Sequence, residues 1–148
     1  MRAVLTRVRS ASVEIEGRVQ GEIGRGFLVL LGVNAEDTVA EAEKIADKIC
    51  GLRIFEDENG KMNVNPMDAG AANLLIISQF TLFADCKSRR PGFSKAARPE
   101  TAIPLYEKVI ELCRSRGFEV QTGVFGADML VSSVNDGPLT IILDTKEL

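Results

Sequence analysis

The chain of 148 residues contains no histidine and no tryptophan. Without histidine there is no Ser-His-Asp triad, no Cys-His pair and no imidazole ligand for zinc. A general base working near neutral pH must then be a perturbed carboxylate, lysine or thiol, or a group on the substrate. Aromatic residues are only 5% of the chain, and 18 Lys and Arg are outnumbered by 21 Asp and Glu. The net charge of −3 and an isoelectric point near 5.1 argue against a protein that coats nucleic acid by overall charge. Cys50, Cys86 and Cys113 are an odd number of cysteines, widely spaced, with no Cys-x-x-Cys. They read as reduced, buried or half-buried thiols. Apolar runs fall far short of the roughly 20 residues of a membrane span. Arg2 and Arg7 interrupt the N-terminal stretch too soon for a signal peptide. No glycine-rich phosphate loop or metal-ligand cluster stands out, so no cofactor and no metal are expected. The expectation is a soluble, cytoplasmic protein without a membrane partner.

What is present is ordinary globular composition, 45% hydrophobic and 26% charged. The length suits one domain over residues 1–148, since domains commonly run about 100–150 residues. Ala3–Val8 reads as a strand. In Ser12-Val13-Glu14-Ile15-Glu16 the alternation puts Val13 and Ile15 on one face. Glu16-Gly17 then turns the chain into Arg18–Ile23 as a hairpin. Phe27–Leu31 is apolar throughout, as suits a strand covered on both faces. Thr38-Val39-Ala40-Glu41 is a capping box, and Val39, Ala42, Ile45, Ala46 and Ile49 form an apolar helical stripe that Gly51 ends. Leu52–Phe55 is a short strand, and the acidic turn at 56–60 lacks calcium-loop spacing. Leu74–Ile77 is a buried strand running into Ser78-Gln79-Phe80-Thr81-Leu82. A second helix spans about Glu100–Arg116, with Leu105, Val109, Leu112 and Cys113 inward. Pro104 moves its expected start toward Ile103, because proline suits a first turn. Phe118–Thr122, Met129–Val134 and Leu139–Leu143 are strands, the last two joined by a turn at 135–138. Many short strands with two inserted helices predict an α+β domain built on a curled, barrel-like antiparallel or mixed sheet.

Three segments carry possible chemistry. Ser78-Gln79-Phe80-Thr81 follows an apolar strand, where backbone N–H groups lose their ladder partners and can act as an oxyanion hole without any ionisable residue. On spacing alone, the simpler reading leaves Gln79 and Thr81 facing solvent. Asn135-Asp136-Gly137-Pro138 contains Asp-Gly, a strong hairpin signal, followed by a proline that removes a ladder N–H. A cis Gly137–Pro138 bond would set two carbonyl oxygens side by side, suited to an ammonium group. Only about 5–6% of X-Pro bonds are cis, so the residues by themselves read as an ordinary trans turn. The third segment, Cys86–Arg98, holds Lys87, Arg89, Arg90, Lys95 and Arg98 with no acid. With Arg2, Arg7 and Arg9 it accounts for eight of the 18 basic residues. It reads equally as a solvated loop or as a local phosphate-binding patch.

Taken together, Ser78-Gln79-Phe80-Thr81-Leu82 and Asn135-Asp136-Gly137-Pro138-Leu139-Thr140 resemble the D-aminoacyl-tRNA deacylase family, also called D-tyrosyl-tRNA deacylases. The resemblance extends to Met1–Leu5 with Arg7-Val8, Leu52–Phe55, Arg90-Pro91 with Phe93, Gln121–Gly123 and Phe125–Met129. Gly92 stands where the family commonly has serine, and Val124 where a charged residue is frequent. The resemblance implies a homodimer with its active site at the subunit interface. It implies hydrolysis of the ester joining a D-amino acid to the 3′ adenosine of tRNA, with no DNA partner. Gly137-Pro138 would be cis and reach the partner subunit's pocket, hold the ammonium group, and exclude an L side chain. Arg7 would support that unit, with Asn135 beside it. Met129 and Phe125 would line an adenosine pocket. Backbone groups at Phe80 and Thr81 would face the ester carbonyl, with Ser78 and Gln79 shaping the site. Thr81 as nucleophile would need a base that the sequence does not supply. The tRNA's terminal 2′-OH, with backbone N–H groups, is the preferred alternative. Two further readings are a non-catalytic RNA-end-binding protein and a deacylase of mischarged L-alanyl-tRNA. Arg7 and the intact Ser78–Thr81 motif favour D-selectivity over the latter.

Overall fold

The computed structural model describes residues 1–148. Strands β1 (Arg2–Ile15), β2 (Arg18–Ile23) and β3 (Gly26–Gly32) form one long hairpin interrupted at Gly24-Arg25. The first half of β1 pairs with β3 and the second half with β2, both antiparallel. The two strands expected over 3–8 and 12–16 are thus one continuous strand. Helix α1 (Val39–Gly51) follows, then the small ribbon β4 (Phe55–Glu56) and β5 (Met62–Val64). Strand β6 (Asn73–Ser78) lies parallel to β3 on one side and to β7 (Glu119–Thr122) on the other, with α2 (Pro99–Ser115) crossing between β6 and β7. Strand β8 (Leu130–Asp144) pairs antiparallel with the other edge of β1. The mixed sheet curls into a nearly closed barrel: a Cβ on Gly21 of β2 would lie 3.1 Å from the Thr122 carbonyl of β7.

Two cores explain why Phe27–Leu31 of β3 and Leu74–Ile77 of β6 are apolar at every position. Phe27, Val29, Leu31, Leu74 and Ile76 face the core shared with both helices. Leu28, Leu75 and Ile77 face a second core with Val8, Ala11 and Val13, inside the curl of the sheet. Helix α1 buries Ala42, Ile45, Ala46, Ile49 and Cys50, and α2 buries Ala102, Leu105, Tyr106, Val109, Ile110 and Cys113.

Several expectations are corrected. Val39 sits at the start of α1 and is exposed, because the buried stripe begins one turn later at Ala42. Gly51 is the last helical residue, and Leu52 in extended conformation ends the helix. The strand expected at 52–55 is confined to Phe55–Glu56, where β5 is available to pair. Helix α2 begins at Pro99 and carries Pro104 in its interior on an exposed position. Leu112 is partly buried, whereas Cys86 is exposed.

The largest correction concerns residues 135–138, which do not form a hairpin turn. Both arms of β8 pair with the same strand: Leu130–Val134 and Asn135 with 8–14, and Thr140–Asp144 with 2–6. Between the pairs Val8–Asn135 and Thr6–Thr140, Asp136–Leu139 stand opposite the single residue Arg7. The segment is a wide bulge in one long strand. Asp-Gly signals reversal only where the flanking runs pair with each other, and here β1 is long enough to pair with both.

Candidate active site

Strand β6 delivers Ser78 to the end of its ladder, and the Gln79 N–H makes a last bond to the Leu31 carbonyl at 2.8 Å. The chain then tightens into a single 3-10 turn over Phe80–Phe83. The first N–H groups of such a turn have no partner within it. Those of Phe80 and Thr81 donate to no other backbone carbonyl or side chain. Two neighbouring N–H donors are therefore left unspent at the end of a buried strand. The motif expected directly after the strand thus begins on the last residue of β6, Ser78, and runs into this turn. The Thr81 hydroxyl accepts from the Gln79 side-chain amide. An amide N–H is not a base, so nothing in this contact activates Thr81 as a nucleophile.

A cavity of about 350 Å³ opens beside this turn. Ser78, Gln79 and Phe80 form one wall, and Phe125 and Met129 form another. Leu31, Val33, Ala97, Ala102 and Tyr106 make an apolar floor, and Asp128 adds the one charged side chain of the lining. Met129 packs over Gly123, and a side chain at 123 would have to displace the Met129 thioether. The Tyr106 hydroxyl donates to the Ile76 carbonyl at 2.8 Å, and its ring meets Phe125 edge-on at 6.3 Å between centroids. Tyr106, Ala97, Ala102 and Asp128 were not singled out by the sequence. The inward stripe of α2 was the available signal for Ala102 and Tyr106, while Asp128 lies in an irregular segment with no periodicity to read. No group of three or more Cys, Asp or Glu side chains comes together as a metal cradle.

The structure does not bring the second motif to this cavity. Thr81, Arg7, Asn135, Gly137 and Pro138 are absent from its lining. Gly137-Pro138 lies exposed on the β8 bulge, its peptide bond cis and Gly137 at φ 149°, where a side chain would meet the Leu139 nitrogen at 2.7 Å. Asn135 closes the bulge: its Oδ1 accepts from the Leu139 N–H at 2.9 Å and its Nδ2 approaches Thr140 Oγ1 at 3.3 Å. Arg7 is buried beneath it. Its Nε donates to the Asp136 carbonyl at 2.9 Å and its Nη1 to the Ile54 carbonyl at 2.7 Å. Arg7 thus ties the bulge to the chain ahead of β4.

The chain is an α+β barrel whose unspent N–H donors lie beside an apolar cleft at the end of β6. The chain belongs to the family described as D-Tyr-tRNA(Tyr) deacylase, whose model matches residues 4–144. A protein named D-aminoacyl-tRNA deacylase from Thermosipho africanus (strain TCF52B) is 51% identical over 149 residues, covering 100% of this chain and 99% of that one. One of the same name from Koribacter versatilis (strain Ellin345) is 55% identical over 148 residues, covering 99% of each. Among solved structures, one titled c-Myc DNA Unwinding Element Binding Protein superposes with a TM-score of 0.90 at 42% identity, covering 97% of this chain and 98% of that one. A second, titled as a probable eukaryotic D-amino acid tRNA deacylase, shares the fold with a TM-score of 0.83 at 16% identity, covering 96% of this chain and 97% of that one. No helix is long and apolar enough to cross a membrane.

Tyr106 is the only tyrosine and there is no tryptophan, so it reports on this site alone. Burial pushes its hydroxyl up to about 12. The stability gained by burying the neutral phenol is therefore complete below pH 10 and is lost as pH rises through 12. Absorbance at 295 nm should show one tyrosinate step near 12 while the fold persists. A midpoint at 10 with unchanged circular dichroism would contradict the burial.

Proposed function

We propose that this protein hydrolyses the ester linking a D-amino acid to the 3′ adenosine of tRNA, releasing the free amino acid. The observation that carries this reading is the pair of unspent N–H groups at Phe80 and Thr81, set beside a cleft of adenosine size in a chain that the family model matches over residues 4–144. The N–H pair receives the oxyanion that forms when water attacks the ester carbonyl. Phe125 and Met129 hold the adenine. The terminal ribose 2′-OH positions or activates the water, which accounts for a hydrolase with no histidine and for RNA, not DNA, as substrate. An aminoacyl ester is already labile, so positioning and electrostatics suffice. Ser78 and Gln79 shape the wall, and Thr81 orients the substrate.

The working unit is a homodimer in which Gly137-Pro138 of one protomer enters the partner's cleft. Three features support this. The bulge does not line its own cavity, it projects from β8, and β8 pairs on one edge only. Leu130 and Ile142 on that strand are 70% and 73% exposed, a long apolar edge that a second copy would cover. The carbonyls of the unit take the substrate's ammonium group, and its bulk leaves no room for an L side chain. A D side chain points away, so many are accepted, and glycyl-tRNA mischarged on tRNA-Ala is accepted as well.

Purified protein should release D-tyrosine from D-tyrosyl-tRNA and spare L-tyrosyl-tRNA. Release of both at equal rates would sink the chiral reading, and binding without release would select the non-catalytic alternative. Thr81→Ala should keep kcat within about tenfold and leave the D/L ratio unchanged, since losing a positioning contact costs about 1.4 kcal/mol or less. Abolished turnover with tRNA still bound would make Thr81 the nucleophile. In sedimentation the protein should run at twice its 16.1 kDa chain mass. Ile142→Glu should shift it toward monomer and lower activity with it, and a monomeric but fully active variant would refute the shared site.

A further inference from the structure

The segment from Asp85 to Arg98 is built, not loose. Asp85 and Gly92 exchange backbone hydrogen bonds at 2.8 and 2.9 Å, closing a loop whose tip is Lys87-Ser88-Arg89-Arg90. The Asp85 carboxylate accepts from the Lys87 N–H at 3.0 Å, and the Ser88 hydroxyl donates to the Arg90 carbonyl at 2.7 Å. Its base is stitched to the β3–α1 connection, with Ala35 N–H donating to Lys95 and Ala97 N–H to Val33 at 3.0 and 2.9 Å. Phe93 packs edge-on against Phe80 at 5.1 Å between centroids, so the loop abuts the wall that carries the N–H donors.

The loop's charges have no use within the chain. Lys87, Arg89, Arg90 and Lys95 are exposed and form no ion pair, and Arg98 meets only Glu100, at 3.9 Å. In a protein of net charge −3, four unpaired cations on one ordered loop are a local inversion of sign. Repulsion among them is a cost that a polyanion would relieve. Guanidinium and ammonium groups without acidic partners match phosphodiester oxygens, and such contacts set position without reading sequence.

We infer that the 85–98 loop is a second binding site, for the phosphodiester backbone of the tRNA acceptor end, placed where the strand leaves the adenosine cleft past Phe80. The inference rests on the deacylase reading and deepens it. It divides recognition in two: the cleft takes the aminoacyl-adenosine, and Lys87, Arg89 and Arg90 take the backbone behind it.

The test compares D-tyrosyl-tRNA with a minimal ester, 3′-O-D-tyrosyl-adenosine, which has the cleft's ligand and no backbone. For the unmodified protein, kcat/KM on tRNA should fall steeply with salt and that on the minimal ester should not. The triple variant K87Q/R89Q/R90Q should lose about tenfold or more in kcat/KM on tRNA at 0.1 M salt, through KM and not kcat. Its log–log salt slope should flatten by about two to three, one counterion-release increment for each lost phosphate contact. Its rate on the minimal ester is the internal reference for folding and chemistry. The charge-conserving K87R/R89K/R90K should restore most of the loss, and K44Q/K61Q, on other elements, should cause none. An unchanged KM and salt slope on tRNA for the triple variant would overturn the inference while leaving the deacylase reading intact. No release from either substrate by the unmodified protein would remove that reading, and this inference with it.

Discussion

Arg7 is a cation buried to 8% exposure in the middle of the longest strand pairing in the molecule. A guanidinium cannot shed its charge, so its desolvation must be met by acceptors in place. The acceptors here are mostly backbone: the Asp136 carbonyl on β8 and the Ile54 carbonyl ahead of β4, with the Asp136 carboxylate at 3.8 Å. The Phe55 ring lies under the same group, 5.7 Å from centroid to carbon. A lysine has no planar fork to reach two carbonyls at once. One side chain thereby ties β1, the ribbon and the β8 bulge together. It also dictates where β8 departs from regular pairing, since the four residues Asp136–Leu139 pass over it. Pro138, which has no N–H to give the ladder, interrupts the pairing at the same point, and Arg7 fills the space beneath the opened segment.

The cleft depends on a different constraint, the end of a buried ladder. Strand β6 is flanked by parallel neighbours and covered on both faces, so nearly all its backbone groups are spent. At Gln79 the supply of partners ends, and the 3-10 turn leaves the N–H groups of Phe80 and Thr81 without a partner in the chain. Fixed dipoles in a partly apolar cleft stabilise developing negative charge without reorganising during the reaction. On the proposed reading such a pair is a catalytic resource that needs no histidine.

Legibility tracked how local each determinant is. Phe27–Leu31 and Leu74–Ile77 could be read as strands buried on both faces because their own residues say so. The α1 stripe was readable from Ala42 onward for the same reason. Asn135–Pro138 was misread as a turn because its conformation is decided by β1, more than 120 residues away in sequence, and no local signal reports that Arg7 lies beneath. The start of α2 was misplaced because Pro104 tolerates the helix interior on a solvent-facing position, whereas Pro99 supplies the first turn. Ser78–Phe80, Phe125 and Met129 were expected together and do line one cavity, yet Tyr106 and Asp128 of the same lining carried no signal a single sequence could separate from packing.

On the proposed reading, selection by exclusion decides where affinity must come from. A site that rejects one configuration by bulk and lets the other side chain point outward gains little from that side chain. Its binding energy must come from what every substrate shares: the ammonium group, the adenosine and the RNA backbone. The first two are small, and the cleft's lining is mostly apolar with one carboxylate, Asp128. The backbone is the remaining common element, and four cations without ion pairs, Lys87, Arg89, Arg90 and Lys95, sit close together on the ordered loop that packs against Phe80. Keeping the rest of the surface acidic serves the same end, because a uniformly basic protein would hold any RNA segment and spend its time away from the 3′ end. On the two-site reading, local cations on an acidic protein would make the terminus, which alone satisfies both sites, the position of tightest binding.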